Sequence, residues 1–166
     1  MKKTSLAMNK LFPVFGFTLG KVTPEEFRNR GYYVEKEPYG DLVCRVRGLI
    51  FWDHNQNGRF EDIYATTAEE LPEDWENKFG LCWRLSYNGW IEALKNLGFE
   101  IEIDEEPHVV INEKKSEELI AEVSAVTPER DLSLKLEFKF GNDFGEGATP
   151  DSPRSLYSLT MTTDLD

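Results

Sequence analysis

Val22-Thr23-Pro24-Glu25-Glu26-Phe27-Arg28-Asn29-Arg30-Gly31-Tyr32 writes a short helix together with both of its ends. Thr23 is suited to the cap, Pro24 to the first helical position, and Glu26 completes a capping box while Val22 and Phe27 flank it as an apolar staple. Gly31 supplies the left-handed stop. Downstream come Tyr32 to Glu37, the turn Pro38-Tyr39-Gly40-Asp41, a long run from Leu42 to Asp53, and Arg59 to Thr66. These runs are rich in aromatic and branched residues with turn chemistry between them, which predicts three antiparallel strands after the helix.

The same grammar returns further along the chain. Ser86 caps, Leu85 and Trp90 are spaced as a staple, Gly98 is the stop, and Trp90, Leu94 and Leu97 recur on one helical face. Phe99 to Asp104, His108 to Asn112, Leu119 to Val126 and Leu132 to Phe140 follow as strand candidates. In the last, Leu132, Leu134, Leu136, Phe138 and Phe140 point one way and Ser133, Lys135, Glu137 and Lys139 the other. Laying Glu25–Tyr32 over Glu92–Phe99 aligns Asn29 with Asn96 and Gly31 with Gly98. A true repeat and a local likeness of helix-Gly-strand junctions both fit this match. The expectation is a single α+β domain over residues 1–166, an antiparallel sheet with its helices on one face. It divides into half-repeats 12–67 and 81–140, each a helix plus a three- or four-stranded meander. An acidic connector, 68–80, joins them, and a C-terminal loop with an edge strand, 141–166, closes the chain.

The segment from Phe17-Thr18-Leu19-Gly20-Lys21 through Thr23-Pro24-Glu25-Glu26 to Gly31 resembles the opening of small bacterial modules of the beta-lactamase-inhibitor-protein-like and outer-membrane-lipoprotein type. Their pattern is a Gly, a Thr-led short helix, a Gly and a strand meander, sometimes in tandem. Those families are exported, and their inhibitor members carry disulfides within each repeat. Here Cys44 and Cys82 fall in different halves. The resemblance therefore implies a sheet used as a protein-binding surface, and neither a target nor a compartment.

Charge narrows the partners. The chain of 166 residues carries 19 Lys and Arg against 31 Asp and Glu, a formal net charge of −12. Residues 1 to 83 hold 11 basic and 13 acidic side chains, and residues 84 to 166 hold 8 and 18, so the acidity lies in the second half. Such a surface repels phosphate backbones and anionic membrane faces, which argues against nucleic acid and membrane as ligands, and it steers basic proteins or divalent cations. No apolar window is long enough to span a bilayer. Asn9 and Lys10 interrupt the apolar run behind Met1-Lys2-Lys3, so the start reads as an untargeted cytoplasmic terminus.

The most motif-like stretch is Asp53-His54-Asn55-Gln56-Asn57-Gly58-Arg59-Phe60-Glu61-Asp62. Asp53, Asn55 and Asn57 stand at alternate positions, Gly58 follows them and Glu61 comes three further on, as in a calcium loop whose side chains wrap one cation. The twelfth position is Tyr64, where such a loop needs a bidentate Glu. A plain hairpin turned by Asn57-Gly58 is the alternative. His54 and His108 are too few for a three-histidine zinc site, and Cys44 and Cys82 lie on apolar segments where a thiol stays protonated. Asp104-Glu105-Glu106 reads as a solvated turn between strands. Gly141 to Gly147 is glycine-rich but acidic and opens no helix, so it is no phosphate loop. In the connector, Glu73, Asp74, Trp75 and Glu76 set a large ring among carboxylates, either packed down as an anchor or presented to a partner. The sequence thus favours a non-catalytic, inhibitor-like or immunity-like module that offers an acidic face at Glu73, Asp74, Trp75 and Glu76 to a basic protein, with no cofactor. The alternative is a calcium-dependent accessory or ligand-binding domain using Asp53, Asn55, Asn57 and Glu61.

Overall fold

The computed structural model describes residues 13–66, 71–72, 74–111, 113, 117–139, 149–151 and 156–163. A two-residue-per-strand hairpin, β1 (Pro13–Val14) and β2 (Phe17–Thr18), leads into helix α1 (Pro24–Asn29). Thr23 Oγ1 accepts from the Glu26 N–H at 3.3 Å, and Glu26 Oε1 accepts from the Thr23 N–H at 3.0 Å, so the capping box is closed. Val22 and Phe27 are both buried, and Gly31 carries the expected positive φ of 91°. Helix α2 (Tyr87–Asn96) repeats the design: Ser86 Oγ accepts from the Gly89 N–H at 2.9 Å, and Gly98 has φ 98°. It runs for ten residues against six in α1, about one turn more.

After α1 come β3 (Val34–Lys36), β4 (Leu42–Val46), β5 (Leu49–Asp53) and β6 (Asp62–Thr66). The run expected as one strand from Leu42 to Asp53 is two. Arg47 and Gly48 both adopt positive φ, 59° and 148°, and fold it into a tight hairpin that pairs Val46 with Leu49. Arg47 is the uncommon non-glycine case there, and its guanidinium lies 4.9 Å from the centre of the Phe15 ring. The second half shows the reverse. Two expected strands join as β7 (Glu100–Ile111), with register shifts between Ile103 and Glu105 and between Glu105 and His108. The acidic Asp104-Glu105-Glu106 run, expected as a turn, is therefore a bulged stretch of strand. Next are β8 (Glu117–Val126), β9 (Leu132–Lys139) and β10 (Leu156–Thr163).

All eight strands from β3 onward form one open antiparallel sheet in the order β3-β4-β5-β6-β10-β9-β8-β7, not closed into a barrel. Each half contributes a meander behind its helix. The C-terminal strand, expected at an edge, lies in the middle, where Leu159 faces Ala65 of β6 on one side and Leu136 of β9 on the other. Without it, β6 and β9 would each end as an unpaired edge.

Cross-strand register sets Phe51, Ile63, Met161 and Leu134 in one row on the face both helices cover. Phe27 of α1 stands 5.1 Å from Phe51, and Tyr87 of α2 stands 4.9 Å from Phe138. One apolar cluster runs through both halves, with Phe17, Phe27, Phe51 and Phe60 at one end and Trp90, Leu94 and Phe138 at the other. The opposite face carries Trp52, Tyr64, Thr160, Lys135 and Glu122, and no helix covers it among the described residues.

Candidate functional site

The connector forms a π-helical turn, Trp75–Phe79, stopped by Gly80 at φ 73°. Trp75 is 1 % exposed. Its ring is the anchor of the connector, so it is not available as an exposed contact for a partner. Asp74 and Glu76 do face solvent, but each has a cation of its own: Lys78 Nζ lies 3.9 Å from Asp74, and Arg84 hydrogen-bonds Glu76. Glu73 lies outside the described residues, as do Met1 to Lys10 and Gly141 to Gly147.

The 53–62 loop joins β5 to β6 as a hairpin connection. Asp53 is fully buried and Glu61 is 5 % exposed. Asp53 accepts from the backbone N–H groups of Asn57 at 3.2 Å and Gly58 at 2.9 Å, which holds the turn closed. Asn55 Nδ2 donates to Glu61 at 2.6 Å and Asn57 Nδ2 at 3.5 Å. Asn57 Oδ1 accepts from the Arg59 N–H at 3.0 Å. The four residues of the calcium pattern are thus gathered in one loop and hydrogen-bonded to one another or to the loop's backbone. Among the described residues, no three His, Cys, Asp or Glu side chains converge as a metal-ligand set.

A constellation that the sequence reading missed stands beside this loop on the helix-free face. The His54 ring stacks on Trp52 with centroids 4.6 Å apart, its Nδ1 lies 3.1 Å from Asp41 Oδ2, and its Nε2 lies 3.8 Å from Asp62 Oδ2. Asp41 also accepts from Trp52 Nε1 and Gln56 Nε2, each at 3.0 Å. The Gln56 and Trp52 hydrogen bonds, with His54 beside them, hold the Asp41 carboxyl below the usual aspartate range. Burial pushes Asp62 above it, with Thr162 and His54 pulling part of the way back. Trp52, His54 and Gln56 alternate in sequence, a signal that they share a side. Asp41 and Asp62 join them only through pairing of β4, β5 and β6. Among the described residues, no hydroxyl or thiol is hydrogen-bonded to His54. Cys44 sits on the buried face with its thiol pushed up to about 11 by that burial, so it does not serve the imidazole as a nucleophile. The cluster ties the β3–β4 turn to the β5–β6 loop.

Among the described residues, a run of carboxylates without ion pairs stands on β7. Glu100, Glu102, Asp104, Glu105 and Glu106 are all exposed along this outer strand. Asp104 accepts from the Ser124 hydroxyl, and none of the five is ion-paired among the described residues. The far end of the same strand exposes Val109 and Ile111. Also among the described residues, no helix is long and apolar enough to cross a membrane. Compared with known protein families, characterised proteins and solved structures, the chain has no match.

Proposed function

We propose that this protein is a non-catalytic binding module, inhibitor-like or immunity-like, that offers an acidic face to a basic protein. The observation that supports this reading best is the β7 edge: five exposed carboxylates without ion-pair partners among the described residues, on an outer strand continuous with exposed Val109 and Ile111. We assign the proposed face to the outer strand of the acidic half rather than to the connector, where Trp75 is buried and Asp74 and Glu76 each have a nearby cation. A rim of one charge sets the approach rate and its salt dependence, while apolar contacts set residence time. The test is capture from source-organism lysate at low salt, followed by association kinetics of the identified partner with Glu102→Lys/Asp104→Lys protein. The expected result is a basic partner whose association rate falls about tenfold in the variant, with little change in dissociation. An unchanged rate rejects the face.

A second reading, calcium at Asp53, Asn55, Asn57 and Glu61, is favoured by two nearly buried carboxylates sharing one loop, with no Lys or Arg among the described residues paired to them. A melting-temperature rise in millimolar calcium over chelator, absent in Glu61→Gln, supports it, and no rise removes it.

A further inference from the structure

The helix-free face holds a cavity of about 240 Å³ whose walls are Glu105 of β7, Ile120 and Glu122 of β8, Glu137 and Lys139 of β9, and Tyr157 of β10. Ala121 and Phe138, with side chains buried on the helix side, close its floor. Three of these wall residues are glutamates standing in one row. Glu105 is the cross-strand partner of Glu122, and Glu122 is the partner of Glu137. With neighbouring strands about 4.8 Å apart, the row spans about 10 Å. Like charges directly opposite one another are destabilising in a sheet. Only part of this is compensated: Lys135 Nζ lies 3.6 Å from Glu122, and the Ser158 hydroxyl donates to Glu137 at 2.6 Å. Glu105 has neither kind of partner among the described residues. The ammonium of Lys139 rests on the Tyr157 ring, 4.0 Å from its centroid, and makes no ion pair with the row. Register shifts flank the cavity on both sides, around Glu105 in β7 and between Leu156 and Ser158 in β10. Bulges of this kind re-aim side chains away from regular strand geometry.

Resting on the acidic-face reading above, the geometry points to this cavity as the receptor for one lysine or arginine side chain of the basic partner. The aliphatic stem lies along Ile120 and the exposed Tyr157 ring, and the cationic head meets Glu105, Glu122 and Glu137. A metal ion suits the row poorly, because it needs carboxylates converging on one point and none of the described groups do so. An ammonium or guanidinium, with several N–H donors pointing in different directions, bridges carboxylates spread along a row.

The test is a heteronuclear NMR titration of the full chain with N-acetyl-lysine methylamide, its ε-acetylated analogue as the neutral control, and octalysine as a separate probe of the acidic half. The lysine probe is expected to move the amides of Ile120 to Glu122, Glu137 to Lys139 and Tyr157, and the neutral analogue to move none of them. In Glu122→Gln/Glu137→Gln, which keeps side-chain size and the acceptor for Ser158, affinity for the lysine probe falls about tenfold or more, the scale of lost charged hydrogen bonds. Equal affinity in that variant, or no response at the cavity of the native chain, overturns the inference. If octalysine then still binds along β7, the acidic-face reading stands without the cavity. If octalysine at low salt also leaves the spectrum unchanged, both fall.

Discussion

Asp41 and Asp62 flank one imidazole, yet their surroundings act on them in opposite senses, and the sign of each fixes how stability follows pH. The Asp41 carboxyl is held low by the Gln56 and Trp52 hydrogen bonds, so its contribution is present above the unfolded aspartate pKa and is lost as pH falls through the lower folded value. Burial holds Asp62 high, so its contribution is full below the unfolded pKa and is lost as pH rises through the folded value. In urea denaturation across pH, the deficit of Asp41→Asn relative to wild type should shrink on acidification below the aspartate range. Asp62→Asn should gain on wild type as pH rises from that range to neutrality. Parallel profiles for the two variants contradict this assignment. The cysteines make a second residue-scale test. Cys44 is buried with a raised thiol pKa and Cys82 is half-buried, so a maleimide at neutral pH should label Cys82 in the native protein and Cys44 only on unfolding. The apolar run around Cys44 made its burial readable from sequence, whereas Cys82, read the same way, is half-buried and lies in no strand. The inward ring of Trp75 was not readable, because a tryptophan among carboxylates has the same sequence whether it turns in or out.

At the scale of elements, what the sequence wrote locally is what could be read from it. The Thr23 capping box, Pro24 and the Gly31 stop concern groups within a few residues of each other, and all three took the expected form. Thr23→Ala should cost about 1 kcal/mol, the usual worth of such a cap, as measured by chemical denaturation. No loss at all would mean that burial of Phe27 alone holds α1. The Arg47-Gly48 turn was hidden because apolar residues continue on both sides, and Arg47 is not a residue that announces a positive φ. β7 was hidden for the opposite reason: its three adjacent acids look like a turn, and only pairing with β8 keeps them in a strand. That pairing sets Glu105 against Glu122. Glu105→Lys should therefore stabilise by at least about 0.2–1 kcal/mol, the usual worth of an opposite-charge cross-strand pair, with relief of the like-charge contact added to it. An unchanged stability in the variant means that the row is screened more fully than its side-chain contacts indicate.

For the whole molecule, the order of the strands was the least legible feature, because it depends on one strand returning from the far end of the chain. Nothing near Leu156 to Thr163 names β6 as a neighbour; its two-sided run of Leu, Met and Thr says only that it is a strand. Its central position changes what the two halves are to each other. Two modules in tandem, each with its own sheet, would unfold independently. Here β10 pairs with both meanders, and the apolar cluster runs beneath it without a break. A single cooperative transition should therefore appear with the same midpoint by far-ultraviolet circular dichroism and by fluorescence of variants keeping Trp52 or Trp90 as probe. Leu159, fully buried and facing Ala65 and Leu136, is the residue that tests the link. Leu159→Ala should cost about 2–5 kcal/mol and move both probe midpoints together. If only the Trp90 transition moved, β10 would belong energetically to the second half. An acidic face built on β7 would then rest on a unit able to loosen without the first half, and binding to a basic partner would stabilise one transition rather than the whole chain.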